Sequence, residues 1–194
     1  MTEETWSEVG LVTLTLDGGS DVEFYTITNS IEIAVGDKDV DFMPMINGGR
    51  LASFKPQADT TITLEMYPVQ AGTDTGLVGK GVADLLGTAD ASQPLSIPFS
   101  RTRTKCRATL LWTDDTTVTT ATAAINLNQT GMRIIANNCY VINASPSGAF
   151  TPNDPQKWKV VLKCGAFNKD GTSNVSVTST DGTATMTMAT YTAS

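Results

Sequence analysis

The sequence contains no histidine among its 194 residues. Histidine is the commonest general base and metal ligand in proteins, so its absence excludes Ser-His-Asp and Cys-His catalytic arrangements. Three cysteines, Cys106, Cys139 and Cys164, lie far apart, and no two of them have the C-x-x-C spacing of a metal or redox motif. Because an odd number of cysteines cannot pair completely within one chain, we expect reduced thiols. Most familiar enzyme classes are therefore disfavoured.

Long apolar runs are also missing, since no stretch approaches the roughly 18 residues that a membrane-spanning helix needs. The first residues, Met1 to Trp6, are acidic and lack the basic and apolar regions of a secretory signal peptide. We therefore expect a soluble protein made in the cytosol, with no membrane partner.

Charged residues make up only 17% of the chain, and 20 acidic residues against 13 basic ones give a net charge of −7. Such a chain repels nucleic-acid phosphates, which disfavours specific nucleic-acid binding.

The negative charge is concentrated near the amino terminus, where residues 1–41 hold ten carboxylates and one lysine. At the end of this region Asp37, Asp39 and Asp41 alternate with other residues, so an extended backbone places all three on one face. A calcium-binding loop opens with the same D-x-D-x-D pattern, but the positions where it needs a glycine and a bidentate glutamate carry other residues. A negative stripe that needs no metal is the favoured interpretation.

The residues that are abundant favour sheets and turns, with 31 threonines and 16 glycines against 8 prolines. Alternating apolar and polar segments recur at short intervals, separated by turn sequences such as Asn47-Gly48 and Asp181-Gly182. We therefore predict a single, mainly β domain spanning residues 1–194, with a carboxy-terminal hairpin around Asp181-Gly182. The predicted strands are 9–16, 22–28, 31–35, 50–54, 60–66, 95–99, 105–113, 132–135, 140–142, 157–167, 175–179 and 183–189.

One segment has helical periodicity instead. Apolar side chains recur at i, i+4, i+7 and i+8, at Val78, Val82, Leu85 and Leu86. This spacing predicts one α-helix at about residues 74–87, packed against the sheet. Asp74 opens an Asp-Thr-Gly triplet like that of aspartic proteases, but no apolar strand precedes it, so helix capping is favoured. A hydrolase based on Asp74 would need a second carboxylate in the same pocket, and we predict a non-enzymatic protein with no catalytic, cofactor or metal site.

Basic side chains alternate with apolar ones in two of the predicted strands. The basic positions are Arg101, Arg103, Lys105 and Arg107 in one segment and Lys157, Lys159 and Lys163 in the other. Because successive side chains of a strand point to opposite faces, each set lies on the outer face of a half-buried strand. That face is either an ordinary solvated sheet surface or a docking surface for the acidic segment of a neighbouring copy.

Two parts of the sequence resemble the major tail tube proteins of long-tailed, siphovirus-like viruses of bacteria and archaea. The first is GDKDVDFMPMINGGRLASFKP at residues 36–56, continued by TTITLEMYP at 60–68, and the second is KWKVVLKCGAFNKDGT at 157–172. The resemblance implies an antiparallel β-sandwich or barrel of the tail-tube type with one flanking helix. It also implies that the loop from Asp37 to Lys55 reaches an adjacent ring.

The function that this resemblance implies is structural. Hexameric rings would stack into the hollow tail tube of a virion, assembled in the host cytoplasm, through which double-stranded DNA passes without specific binding. The partners would be further copies and other tail proteins such as the tape measure and the terminator. Asp37, Asp39 and Asp41 would face the bore or a neighbouring ring, and the seven basic residues would contact acidic segments of adjacent copies. The alternative is another virion or surface β protein, such as a capsid decoration protein or a fimbrial subunit.

Overall fold

The computed structural model describes residues 9–16, 21–24, 31–66, 105–147 and 157–193. These residues form an antiparallel β structure, which confirms the predicted mainly β class. The helix expected at about 74–87 and the strand expected at 95–99 lie outside the described residues. The strands are β1 Val9–Leu16, β2 Asp21–Phe24, β3 Ile31–Ala34, β4 Val40–Pro44, β5 Arg50–Phe54, β6 Thr60–Met66, β7 Cys106–Thr113, β8 Gly131–Ser147, β9 Lys157–Cys164 and β10 Val175–Thr180.

Eight of these strands form one antiparallel sheet that curves as a half-barrel. Seven of them follow the order β2-β1-β7-β8-β9-β6-β3, and β10 pairs with β8 beside this path. The other two strands, β4 and β5, pair only with each other among the described residues and form a separate hairpin. None of the described residues forms a helix that could cross a membrane.

Strand β8 joins the two parts of the sheet. Its first half pairs with β7 and β10, whereas its second half pairs with β9. Between the halves the register shifts, so that residues 137 and 138 lie opposite the single residue Arg107, and Asn138 has a φ of 54°. A bulge of this kind bends a strand and increases its twist. The sequence pattern predicts two short strands here, at 132–135 and 140–142, and the structure instead has one long strand bent at the bulge.

One face of the sheet carries the main hydrophobic core. Alternate residues of β1, β6, β7 and β9 point to this face, as the period of two in a strand requires. The three cysteines belong to this core and are at most 1% exposed, and none of them is in a disulfide bond. The core residues are Val12, Leu14, Ile62, Leu64, Cys106, Ala108, Leu110, Ala136, Cys139, Val160, Leu162 and Cys164.

The opposite face of β7 is covered by two segments without regular structure, residues 114–130 and 181–193. Ile125 from the first segment and Met186 from the second exchange two backbone hydrogen bonds of 3.0 and 3.1 Å. Both side chains pack into a second, smaller cluster with Leu111 of β7. Because it has packed layers on both faces, β7 is buried along almost its whole length.

The prediction of a carboxy-terminal hairpin around Asp181-Gly182 is wrong. Gly182 does adopt a positive φ of 88°, but residues 183–189 are not a strand and do not pair with β10. The chain crosses instead to Ile125, where Met186 is buried. Burial of this methionine, together with the pairing of β10 with β8, outweighs the local hairpin signal.

Arg133 of β8 is completely buried beside the second cluster. Its Nη2 donates a hydrogen bond to the carbonyl oxygen of Ala123, whereas its Nε and Nη1 have no hydrogen-bond partner among the described residues. Burial, and to a lesser extent the charge of Arg107, lower the pKa of Arg133. A buried cation with unsatisfied donors destabilises a fold, and an apolar residue of similar volume in its place is often neutral or stabilising.

We therefore expect Arg133→Met to raise the free energy of unfolding by about 1–4 kcal/mol, because methionine keeps the aliphatic stem and removes the buried charge. Urea denaturation of the two proteins measures this difference. Arg133→Lys, which keeps a charge at this position, is the control and should give no such gain. A lower stability of the methionine variant would show that the contact with Ala123 outweighs the desolvation of the guanidinium.

Candidate assembly surface

Strands β4 and β5 form a hairpin that is separate from the sheet, and we call residues 37–58 the arm. At its base, Lys55 N donates to Asp39 O at 3.0 Å and Ala58 N donates to Asp37 O at 3.2 Å. At its tip, Gly48 has a φ of 80°, as the predicted Asn-Gly turn requires. The arm corresponds to the loop that the sequence analysis expected to reach an adjacent ring.

The arm exposes large apolar side chains. Half of the exposed large hydrophobic residues in the described part of the chain lie between positions 42 and 54, and Ile46 at the turn is fully exposed. Isolated exposed apolar residues are ordinary, but a cluster of them marks an interaction site. These residues are Phe42, Met43, Met45, Ile46, Leu51 and Phe54.

The acidic stripe lies at the base of this arm. Lys55 Nζ lies 3.0 Å from Asp39 Oδ2 and 3.0 Å from Asp41 Oδ2, so one ammonium group bridges two carboxylates across the hairpin. The hydrogen bond from Lys55 is the main cause that lowers the pKa of Asp39, and the bond from Asp41 is the main cause that raises the pKa of Lys55. The stripe therefore contributes to the shape of the arm. Whether Asp37, Asp39 and Asp41 also face a bore or another ring stays a prediction.

Lys55→Gln should raise the pKa of Asp39 toward its ordinary value of 3.8, because the variant removes the strongest donor to this carboxylate. The pKa of Asp39 in the folded protein is lower than its ordinary value of 3.8. The ion pair with Lys55 is therefore fully formed above pH 3.8, and it is lost as the pH falls through the lowered pKa of Asp39. Carboxyl chemical shifts followed by NMR titration measure the change. An unchanged Asp39 titration in the variant would contradict the bridge. Asp170 provides a control, since its pKa is lowered by Thr172 in a separate turn.

Five of the seven basic candidates lie within the described residues. Arg101 and Arg103 lie outside the described residues. Lys105 and Lys157 are half-buried, whereas Lys159 and Lys163 are exposed. Lys163 Nζ lies 3.1 Å from Asp59 Oδ2 of the same chain. A role of these residues in contacts between subunits stays a prediction.

Arg107 departs from the expected outer face, because its residue is only 6% exposed. Its Nη1 donates to Ala189 O at 2.7 Å, and the guanidinium lies 5.4 Å from the centroid of the Tyr191 ring. The carboxy-terminal segment supplies both contacts and covers this side of β7. Local alternation could not reveal that cover, because it comes from more than 80 residues away in the chain.

An open pocket of about 280 Å³ lies between Arg107 and the carboxy-terminal segment. Tyr191 Oη donates to Asn138 Oδ1 at 3.4 Å, and Asn138 Nδ2 donates to Asn174 Oδ1 at 2.8 Å. Asn174 Nδ2 in turn donates to Gly165 O at 2.9 Å. This series of bonds fastens the carboxy-terminal segment to the bulge of β8, so we interpret these buried side chains as structural. No sequence motif links the three side chains, so the sequence alone does not reveal this arrangement.

Edge strands of the sheet complete the surface that neighbouring copies could contact. Among the described residues the sheet path ends at β2 and at β3, and β10 has one paired neighbour, β8. An edge strand presents backbone donors and acceptors to another chain. Val177 of β10, on the outside of the sheet, is 60% exposed.

Comparison with known proteins gives matches in structure alone. No protein-family model and no curated protein sequence matches the chain. A chain of the sheath-tube complex of PVC, an extracellular contractile injection system in its extended state, has a TM-score of 0.54 and 16% identity over 92% of this chain and 95% of that one. A chain of the six-fold symmetrised baseplate of the anti-feeding prophage has a TM-score of 0.52 and 7% identity over 92% and 97%. Hcp1 from Salmonella typhimurium has a TM-score of only 0.35 and 10% identity over 87% of this chain and 93% of that one.

The half-barrel sheet is therefore a tail-tube-like fold, similar to that of contractile injection systems. The resemblance drawn from the sequence is confirmed at that level. This is the fold of structural tube proteins, in agreement with the expected non-enzymatic class.

Proposed function

We propose that this chain is a structural protein that assembles into hexameric rings, which stack into a hollow tail-like tube. The apolar arm is the observation that carries the proposal, because the tube fold alone does not explain six large exposed apolar side chains on a separate hairpin. The hexameric state is supported by the likeness to a chain of a six-fold symmetrised baseplate.

The arm is suited to contacts between rings. Within the described part of the chain it does not pair with the half-barrel sheet, and both of its strands expose apolar side chains, so it can enter a groove of a neighbouring copy. Burial of one large apolar side chain contributes about 1.5–3 kcal/mol, and ring symmetry would repeat each contact six times at every ring junction. In this arrangement Asp37, Asp39 and Asp41 lie at the base of the arm, close to the adjacent ring.

The cargo that we propose for the tube is double-stranded viral DNA. A net charge of −7 supports this, because an acidic inner wall repels phosphates and lets DNA slide without binding. The tube would then belong to a siphovirus-like virion tail, assembled in the host cytoplasm, with tape measure and terminator proteins as partners. Lys157 and Lys159, together with the other basic candidates except the buried Arg107, would contact acidic segments of adjacent copies.

A second candidate is the inner tube of a contractile injection system. The similarity to a chain of the PVC sheath-tube complex, at a TM-score of 0.54, is the observation that favours it. In that case the outer wall of the tube would contact a sheath, and the cargo need not be DNA. Both candidates are built from the same rings and the same arm. They differ in whether a sheath surrounds the tube and in which cargo passes through it.

Negative-stain electron microscopy of the purified protein at high concentration tests the proposal. We expect six-fold rings and hollow tubes of constant bore. Trimers would favour a capsid decoration protein, and fibres without a bore would favour a fimbrial subunit. A protein that remains monomeric at every concentration, with its fold intact by circular dichroism, would contradict self-assembly.

A further inference from the structure

We propose that Cys139 and Cys164 are a site of covalent cross-linking, at which a disulfide oxidant joins β8 to β9. The proposal concerns the sheet within one subunit and does not depend on tube assembly. It starts from the position of the three cysteines, which the sequence places far apart and the sheet brings together.

The cysteines lie side by side on three adjacent strands. Cys106 of β7 is the register partner of Cys139 of β8. The pairing of Tyr140 with Lys163 places Cys139 directly opposite Cys164 of β9. Directly opposed residues of antiparallel strands have Cα atoms about 4.5 or 5.5 Å apart, which lies within the range of disulfide bonds. Neither pair therefore needs a large movement of the backbone to become linked.

The strand register favours the pair of Cys139 and Cys164 over that of Cys139 and Cys106. The Cys139 thiol donates to the backbone oxygen of Ala136 at 3.3 Å, and Cys164 lies opposite Cys139 in the strand register. The Cys106 thiol instead donates to the backbone oxygen of Cys139 at 3.5 Å. The β7–β8 register also shifts immediately beside Cys106, whereas no shift separates Cys139 from the Tyr140–Lys163 pair.

Reactivity favours the same pair. The neighbouring Cys139 thiol lowers the pKa of Cys164, whereas burial raises the pKa of Cys106 to about 12. The thiolate is the attacking species in disulfide exchange, so Cys164 is the favoured nucleophile. Cys164 is also the last residue of β9, and a strand end opens more readily than a strand centre. Its burial makes such a local opening necessary before a reagent can reach the sulfur.

The reaction with a small disulfide such as oxidised glutathione balances in two steps. The Cys164 thiolate attacks one sulfur of the reagent, forms a mixed disulfide and releases one glutathione thiolate. The Cys139 thiol loses its proton and attacks the Cys164 sulfur of the mixed disulfide, which forms the link and releases the second glutathione. The protein loses two hydrogen atoms, and the reagent is reduced to two thiols.

The expected consequence is a sheet that resists unfolding after transfer from a reducing to an oxidising environment. The link would tie the second half of β8 to β9, and β9 in turn carries β6 and β3. Closing the chain between residues 139 and 164 restricts the unfolded state, and we expect the melting temperature to rise by about 5–10 °C.

The test incubates the full-length protein with oxidised glutathione, in urea below its unfolding midpoint so that strand ends open. We expect a mass lower by two hydrogen atoms, a peptide map that joins Cys139 to Cys164, and a higher melting temperature that dithiothreitol reverses. Cys106→Ala should still form the link, whereas Cys164→Ala should not. The peptide map of the unmodified protein decides the result even if a variant fails to fold.

Three outcomes would overturn the proposal. These are a link through Cys106, a glutathione adduct that persists without any internal link, and three thiols that remain reduced although hydrogen exchange shows opening at the end of β9.

Discussion

Ile46→Asp is expected to abolish tube formation and leave the fold of the subunit intact. Ile46 lies at the turn of the arm and is fully exposed in the single chain, so its replacement removes no contact within the subunit. In the proposed tube this side chain is buried against the next ring. An aspartate there would lose the burial of the isoleucine and place an unpaired carboxylate in an apolar contact.

The expected loss of assembly is large because the lost burial of the isoleucine and the desolvation of the new carboxylate both weaken the contact between rings. Burial of an isoleucine contributes about 1.5–3 kcal/mol, and every 1.4 kcal/mol changes an association constant about tenfold. Desolvation of the carboxylate adds a further cost, so we expect the concentration needed for polymerisation to rise at least about 100-fold. Sedimentation velocity measures that concentration, and circular dichroism verifies the fold.

The matched control is Leu127→Asp, which introduces the same charge at an exposed leucine outside the arm. This variant should polymerise as the unmodified protein does. Equal loss of assembly in both variants would show that added charge, rather than the arm, is responsible. Normal polymerisation of the Ile46 variant would contradict contacts between rings through the arm tip.

Leu110→Ala is expected to destabilise the subunit by about 2–5 kcal/mol. Leu110 lies at the centre of β7, between its partners Val12 and Ile134 on the neighbouring strands, and is completely buried. Because packed layers surround β7 on both faces, the space left by the side chain cannot collapse easily. A loss of this size is a large part of the 5–15 kcal/mol that usually stabilises a domain. Urea or thermal unfolding measures it.

Leu127→Ala provides the matched control, because the same atoms are removed at a site that is 57% exposed. We expect a change within about 0.5 kcal/mol there. Similar losses at the two positions would contradict the placement of Leu110 in the core.

The features that the sequence predicts correctly depend on local chemistry. The bounds of β1, β5 and β6 agree with the alternation of apolar and polar residues. The turn at Asn47-Gly48 forms because glycine reaches the positive φ that the hairpin needs. The tail-tube-like fold was also expected from the resemblance of residues 36–68 and 157–172 to tail tube proteins.

The features that the sequence analysis missed depend on distant parts of the chain. Strand β4 was not predicted, because its short run from Val40 to Pro44 becomes a strand only by pairing with β5. The interior position of Arg107 follows from cover by residues 181–193, within which the sequence predicts a hairpin strand at 183–189. The cross-strand row of cysteines likewise needs the strand order, which no local pattern reveals.

Cryo-electron microscopy of tubes assembled from the purified protein tests the central claim most directly. A helical reconstruction should show stacked hexameric rings with the apolar side chains of each arm, Ile46 foremost, buried against a copy in the adjacent ring. Arms that project freely into solvent or into the bore, with rings joined through other surfaces, would contradict the account.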